Sequence, residues 1–167
     1  MRHIISVLFL FLVTLLAAKA QMCYLPMEAP GAAGNNYVAV PPQVVVEFRL
    51  NYPKVAKVYW KREYDTTYMA LFNDSTIINV NYSPAGKKKY TEVLLAIKNI
   101  PGTIISDIAK RYKGWAVLSG RLIISSGGKR LYSALIQKSD RANSYDLTYD
   151  AAGKFICSSP PLPKILP

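Results

Sequence analysis

The chain has 167 residues, of which 51% are hydrophobic, and it carries 21 basic against 10 acidic side chains for a formal net charge of +11. This length supports one domain of ordinary size or two small halves that share a core, and the basic balance favours anionic partners. The single histidine, His3, lies in the N-terminal segment that is predicted to be removed on export. A mature chain without histidine and with two distant cysteines argues against the usual histidine-dependent catalysis and against a zinc site.

The first predicted element is a secretory signal peptide over residues 1–20. It has a basic start at Arg2, an apolar run from Ile4 to Ala18 and a small-x-small cleavage site that ends at Ala20. The apolar run is short for a bilayer span, and no second run of about eighteen apolar residues follows it. We therefore expect a protein that is periplasmic or secreted, with no membrane span after signal cleavage.

Two segments at the ends of the mature chain have no regular apolar period. Residues 21–39 contain prolines and glycines and are predicted to be a flexible leader, and residues 158–167 are predicted to be a proline-rich tail. Cys23 and Cys157 lie at opposite ends of the mature chain. In an exported protein such a pair can form a disulfide, worth about 4–5 kcal/mol for so long a loop, but the sequence does not show that the two are close.

Between these segments one pattern occurs twice, as a first repeat over 40–98 and a second over 99–157. Each repeat begins with a proline and a helical apolar spacing, which runs from Pro41 to Tyr52 in the first and from Pro101 to Tyr112 in the second. Each helix is followed by segments with strand periodicity. These lie at about 55–64, 67–73, 76–82 and 88–97, and then at about 115–125, 129–138, 144–150 and 154–157.

Period-two alternation places large apolar side chains of each repeat on one face of its strands. The set is Tyr68, Ala70, Phe72, Ile78, Val80 and Tyr82 in the first repeat, with Tyr132, Ala134, Ile136, Tyr145, Leu147 and Tyr149 in the second. The predicted fold class is therefore α+β: a tandem duplicated unit, each one helix followed by a four-stranded antiparallel sheet, with the helices on one sheet face.

This layout resembles the PepSY-like proteins described as similar to the β-lactamase inhibitor fold (BLIP-like), which are small exported bacterial proteins. The motifs that carry the resemblance are Val40-Pro41, Tyr52-Pro53, Val58-x-Trp60, Tyr68-x-Ala70-x-Phe72 and Val80-x-Tyr82-Ser83-Pro84-Ala85-Gly86, then Ile100-Pro101, Tyr112, Tyr132-x-Ala134-x-Ile136 and Leu147-x-Tyr149-Asp150-Ala151-Ala152-Gly153. The sequence departs from the pattern at Lys113, where a proline is expected, and at Ser83-Pro84, where an acidic residue is usual. The resemblance implies an extended sheet with helices on one face and a protein-binding or inhibitory role. No loop matches an enzyme-blocking loop, so inhibition of a β-lactamase is not carried over.

The sequence predicts no enzyme, no cofactor and no metal site. Glu63 and Asp65 flank a predicted hairpin turn, where exposure would leave both ionised, so a glycosidase-type carboxyl pair is the least favoured hypothesis. The segments Gly127-Gly128-Lys129 and Asp150 to Gly153 suggest a phosphate loop and a calcium loop, but neither has the required setting. Both are predicted to be turns.

The most informative feature is the strand face opposite the helices. There alternation places five candidate binding residues: Tyr59, Lys61, Met69, Leu71 and Leu135. Apolar and aromatic side chains on an uncovered face are typical of an interface, unless the leader or the tail folds over it. We therefore predict a non-enzymatic module that binds an unknown envelope or secreted protein.

An alternative function follows from the basic balance of the chain. Lys87, Lys88 and Lys89 form its densest basic run, and such a cluster can hold an anionic polysaccharide (glycan) or lipid headgroups. Nucleic acid is not expected as a partner, because an exported protein rarely meets it. A run of lysines also protects a strand edge from pairing with other chains, and this needs no ligand.

Overall fold

The structure, a computed structural model, describes residues 38–63, 67–138 and 143–160. The predicted signal peptide, most of the predicted leader and residues 161–167 of the predicted tail lie outside this part of the chain. The described elements, in chain order, are α1 (Pro42–Asn51), β1 (Tyr59–Glu63), β2 (Thr67–Asn73), β3 (Ile77–Tyr82), β4 (Lys88–Leu95), a short 3-10 turn (Ile97–Asn99), α2 (Gly102–Arg111), β5 (Trp115–Ser125), β6 (Arg130–Lys138), β7 (Ser144–Asp150) and β8 (Phe155–Ser159).

All eight described strands form one antiparallel sheet in the order β1 to β8. The predicted fold class, a tandem duplicated unit with a four-stranded sheet in each copy, is therefore wrong. β4 pairs with β5 along their lengths, from Tyr90 opposite Ser125 to Leu95 opposite Gly120. Two separate sheets would leave the N–H and C=O groups of these two strands unpaired at open edges, and the pairing satisfies them.

The strands themselves lie where the alternation predicts them, within a few residues at each end. β8 ends two residues later than predicted, because it continues through Ser158 and Ser159 into the segment predicted to be tail. Ser158 pairs with Leu147 and Ser159 with Asp146, so β7 supplies the hydrogen-bond partners that extend the strand. Two consecutive serines show no alternation of apolar and polar residues and do not favour a strand, so the sequence pattern predicts that the strand ends too early.

A proline directly precedes each helix and a tyrosine directly follows it. Pro41 and Pro101 precede the first turns, where a fixed φ and a missing N–H do no harm. The N–H of Tyr52 donates to the carbonyl of Phe48 at 2.8 Å, and the N–H of Tyr112 donates to that of Ile108 at 2.8 Å. Both ends therefore keep a backbone hydrogen bond as the chain leaves the helix.

Three hairpin turns share one construction. Ser83, Ser125 and Asp150 each begin a turn whose fourth residue is a glycine with φ between 78° and 81°. The side-chain oxygen of each of these first residues accepts a backbone N–H further along the turn. A type I turn followed by a left-handed residue needs this chemistry, and the predicted turns at Gly128 and Gly153 are confirmed.

The two helices pack on the same face of the sheet over two groups of buried side chains. The first cluster consists of Val44, Phe48, Tyr68, Ala70, Phe72, Val80 and Tyr82. The second cluster consists of Ile100, Ile104, Ile108, Ala134, Ile136, Leu147 and Tyr149. Each helix contributes two fully or nearly fully buried residues one turn apart, at i and i+4, which is the spacing of one helix face.

Candidate functional site

The sheet face opposite the helices, called here the helix-free face, is defined by the strand register. Side chains directly opposite each other in antiparallel strands point to the same face. One row across this face follows from the pairing of successive strands: Tyr59, Leu71, Asn79, Glu92, Ile123 and Leu131. A neighbouring row contains Leu94, Arg121, Ser133, Thr148 and Cys157.

All five residues predicted from the sequence lie on the helix-free face, but they do not form one group. Tyr59 is opposite Leu71 and Lys61 is opposite Met69, so these four side chains share the β1–β2 pair. Leu135 lies on β6, four strands away from β2, which corresponds to roughly 19 Å at about 4.8 Å per strand. Tyr59 is 71% exposed, whereas the other four side chains are half-buried.

The centre of the helix-free face is polar and buried. Arg121 on β5 forms an ion pair with Asp146 on β7, with 2.5 Å between Nη2 and Oδ2. The hydroxyl of Ser133 on β6 donates to the other carboxylate oxygen of Asp146. On the other side of β5, Asn79 Nδ2 donates to Glu92 Oε2 at 3.4 Å. We call these five residues the polar centre.

Burial perturbs the two carboxyl groups of the polar centre. Loss of water raises the pKa of Glu92, and although Arg121 and Asn79 act in the opposite direction, the net change is upward. Burial likewise raises the pKa of Asp146, against the opposing effects of Arg121 and Ser133. The charged form of each carboxylate is therefore less favourable here than in water, and Arg121 is the cation that offsets this.

Two side-chain oxygens on the same face have no hydrogen-bond partner within the described residues: Asn79 Oδ1 and Asn81 Oδ1. Asn81 is 1% exposed, and it lies opposite Tyr90 and two residues along β3 from Asn79. The orientation of Asn79 is fixed by chemistry, because a flipped amide would place its oxygen against the carboxylate of Glu92. Among the described residues, this face therefore has two buried amide oxygens without a hydrogen-bond donor, a feature that usually has a structural or functional reason.

The sequence interpretation missed the polar centre, although the alternation contains the signal. In Ile78-Asn79-Val80-Asn81-Tyr82 the apolar residues alternate with two asparagines, and Asp146 sits between Tyr145 and Leu147 in the same way. Period-two geometry places these polar side chains together on the face without helices. Their burial could not be read from the sequence, because polar residues opposite a helix face are ordinarily exposed.

The remaining predicted features are distributed elsewhere. Cys157 lies on β8 and Cys23 is outside the described residues, so their pairing stays a prediction. Lys89 Nζ donates to Thr67 Oγ1 at 2.9 Å, which ties part of the lysine run to β2. The part of the chain described by the structure contains no group of three or more metal-ligating side chains and no helix that could cross a membrane.

Comparison with known proteins finds similarity at the level of the fold only. No family model matches the chain, and no protein with a curated description matches it. A crystal structure of a DUF2874 family protein from Bacteroides ovatus is similar with a TM-score of 0.68 and 21% identity, over 76% of this chain and 94% of that one. A BLIP-like protein from Bacteroides fragilis is similar with a TM-score of 0.64 and 15% identity, over 79% of this chain and 96% of that one.

A third similar structure is from Bacteroides eggerthii and is named as a candidate periplasmic protein. Its TM-score is 0.68 and its identity 13%, over 74% of this chain and 90% of that one. These similarities confirm the BLIP-like resemblance at the level of fold. The resemblance to PepSY-like proteins stays a prediction, because none of these three structures carries that name.

Proposed function

We propose that this chain is an exported, non-enzymatic module that binds a protein partner on the helix-free face. The observation that carries the proposal is the exposure of large apolar side chains around the polar centre. Tyr59 is 71% exposed, Ile77 45% and Leu94 38%, and all three belong to strands whose opposite face is packed under the helices. Exposed apolar groups next to buried polar groups provide both contact area and orientation for a partner.

Export is supported by the predicted signal peptide and by the name of the Bacteroides eggerthii neighbour. A binding role without catalysis is supported by the chemistry of the described face. Glu92 and Asp146 are held by Asn79, Arg121 and Ser133, so their carboxylates are already engaged in structural contacts. An aromatic side chain as exposed as Tyr59 is the residue type that often contributes most to binding energy.

The test is affinity capture from native envelope extract with the exported chain and with the double variant Leu71→Asp and Leu135→Asp. Both leucines are half-buried on the helix-free face, so the new carboxylates would oppose an apolar contact. We expect one protein to be retained by the wild type at low and at moderate salt and to be lost with the variant.

The matched control is Ile97→Asp, which makes the same kind of change at a 49% exposed residue outside the sheet. Circular dichroism melting checks that all three chains are folded. Equal capture by the wild type and the folded double variant would reject the helix-free face as the binding site. Retention of glycan or lipid only, with loss at higher salt, would favour the basic surface instead.

A further inference from the structure

The outer surface of α1 is apolar where a solvent-facing helix is ordinarily polar. Val46 is 59% exposed and Leu50 is 73% exposed, and the two are one helical turn apart. Residues at i and i+4 lie side by side on a helix, so the two side chains form one small apolar surface. The inner residues of the same helix, Val44 and Phe48, are fully buried, so α1 is apolar on both sides.

The second helix has the ordinary arrangement. Its ten residues place Ser106 and Lys110 at the fifth and ninth positions, where α1 has Val46 and Leu50, and both are exposed. α2 therefore buries Ile104 and Ile108 and presents polar side chains to solvent. Because both helices pack in the same way on the same face, packing on the sheet does not require the outer apolar residues of α1.

Three basic residues lie in sequence next to the C-terminal end of this apolar surface. Arg49 is adjacent to Leu50, and Lys54 and Lys57 follow in the segment that leaves the helix; all three are exposed. Arg49 is held in place, since its guanidinium donates to the carbonyl of Val55 and lies 5.6 Å from the centre of the Phe48 ring. The chain thus has an exposed Val–Leu pair on α1 and three exposed basic residues at and just after the C-terminal end of that helix.

We propose that the outer surface of α1, formed by Val46, Leu50 and Arg49, binds an anionic phospholipid bilayer together with Lys54 and Lys57 of the segment that follows the helix. The leucine and valine insert among the upper acyl chains, and the cations contact the headgroups. This is the chemistry of an interfacial helix, in which apolar burial and attraction to anionic lipid act together. Neither component suffices for stable binding, so the association is reversible and depends on salt.

The basic charge near α1 favours an anionic bilayer over a second copy of the chain as the ligand of this surface. A twofold contact through α1 would bring the arginines and lysines of both copies towards each other, and like charges at an interface are unfavourable. An acidic polysaccharide would satisfy the cations but would leave Val46 and Leu50 in water. A bilayer with anionic headgroups satisfies both parts of the surface.

The orientation that follows is independent of the proposed protein-binding role. The helices cover one face of the sheet, so contact with a bilayer through α1 leaves the helix-free face directed away from the membrane. A partner could therefore bind there while the chain is on a membrane. Failure of either proposal does not decide the other, because the two surfaces share no residue.

The experiment measures binding of the exported chain to vesicles of phosphatidylcholine mixed with phosphatidylglycerol and to vesicles of phosphatidylcholine alone. The chain is purified after export, and its N-terminus is identified by mass spectrometry. The test variant is Val46→Ser with Leu50→Lys, which gives α1 the outer residues of α2 and adds one positive charge. We expect the wild type to bind the anionic vesicles and the variant to bind at least about tenfold more weakly, despite its higher charge.

The control variant is Ile97→Lys, which makes an apolar-to-lysine change at a 49% exposed residue away from α1 and should bind as the wild type does. Undiminished binding by the folded α1 variant would overturn the proposal, because charge alone would then explain it. Absence of wild-type binding to anionic vesicles at low salt, or an α1-dependent dimer in the absence of lipid, would also overturn it.

A second measurement applies if the double variant fails to fold. Leu50→Trp and Lys110→Trp place a reporter at the ninth position of each helix, and brominated phosphatidylglycerol quenches tryptophan that reaches the acyl region. We expect added quenching for Leu50→Trp and none for Lys110→Trp. Equal quenching of the two variants would contradict insertion through α1.

Discussion

The first and second clusters place a helix over strands in the same way but fill the space with different side chains. In the first cluster the ring of Phe48 lies 5.3–5.5 Å from those of Tyr52, Trp60 and Phe72. In the second, the residues beneath α2 are mainly aliphatic, and Trp115 packs with Tyr112 and Tyr145 beside them. The first cluster therefore depends on a few large rings, whereas the second distributes burial over many smaller side chains.

The clusters also differ in how they satisfy a buried tyrosine. The hydroxyl of Tyr149 in the second cluster donates to Asp107 Oδ2 at 3.2 Å. The hydroxyl of Tyr82 in the first cluster is buried and has no partner within the described residues. Burial raises the pKa of both phenols, and neighbouring carboxylates, Glu47 and Asp107 respectively, act in the same direction. The same packing of helix on sheet therefore accommodates one buried tyrosine hydroxyl with a hydrogen bond and one without a partner in the described part of the chain.

The largest expected effect comes from removing the central ring of the first cluster. Phe48→Ala should lower the free energy of unfolding by about 3–5 kcal/mol, because the ring is fully buried and contacts three other rings. Ile108→Ala, the same truncation at the corresponding turn of α2, should cost about 2–5 kcal/mol. Urea unfolding measures both losses, and a clearly smaller loss for Phe48→Ala than for Ile108→Ala would show that the first cluster does not depend on this ring.

The next effect comes from the glycines beneath the helix N-termini. A Cβ on Gly86 would lie 2.8 Å from the backbone oxygen of Gln43, whereas one on Gly153 would first meet the side chain of Thr103, which can move. Both glycines have left-handed φ, so each alanine costs about 1–3 kcal/mol for the backbone alone.

We therefore expect Gly86→Ala to be more destabilising than Gly153→Ala by about 1 kcal/mol or more. Thr103→Ala should recover part of the loss in the Gly153→Ala background, because it removes the side-chain atoms that the new methyl group meets. Thermal unfolding of the four chains measures this. Equal losses at both glycines, with no recovery, would remove the proposed difference between the two turns.

A smaller effect distinguishes the two tyrosines. Tyr149→Phe should cost about 0.5–1.5 kcal/mol, since it removes the hydrogen bond to Asp107. Tyr82→Phe should be neutral or slightly stabilising, because it removes a buried hydroxyl without a partner in the described part of the chain. Urea midpoints of the two variants check the sign, and a clear loss in Tyr82→Phe would mean that its hydroxyl has a partner in solution.

The smallest effect concerns Glu92, which lies where the two halves of the sheet meet and is electrostatically coupled to Arg121 on β5. Burial raises its pKa above the ordinary value of 4.5, so the folded chain binds this proton more tightly than the unfolded chain does. The contribution of Glu92 to the free energy of unfolding is therefore greatest below about pH 4.5, the ordinary pKa, and it declines as the pH rises through the raised pKa of the folded chain.

Glutamine cannot ionise, so the stability of Glu92→Gln relative to the wild type should increase as the pH rises. We expect the difference in melting temperature, variant minus wild type, to increase between about pH 4 and pH 8. Parallel melting series in matched ionic strength measure it. A difference that does not change with pH would contradict a raised pKa.

The sequence predicts local structure better than it predicts assembly. Tyr68, Ala70 and Phe72 alternate cleanly, and the strands and turns built from such runs lie close to their predicted positions. The pairing of β4 with β5 could not be predicted, because α2 separates them and no hairpin turn indicates that they are neighbours. Strand periodicity states which face a residue is on, but not which strand lies beside it.

The same limit applies to the candidate site. Alternation places Met69 and Leu71 on the helix-free face correctly, because it requires only the position along one strand. The polar centre combines Glu92 on β4, Arg121 on β5 and Asp146 on β7, and these come together through the register of successive strand pairs. A pattern within one strand cannot predict such a group.

The order of the strands has a consequence for the rate at which the chain folds. Every strand is a neighbour in the sheet of the strand before it in sequence, so most pairings close short loops and can form early. The pairing of β4 with β5 must instead close a segment that contains α2 and costs more conformational entropy. We expect this closure to be the late step that joins two partly formed hairpin arrays, so substitutions at Leu94 or Leu122 should alter refolding kinetics more than substitutions in the terminal hairpins.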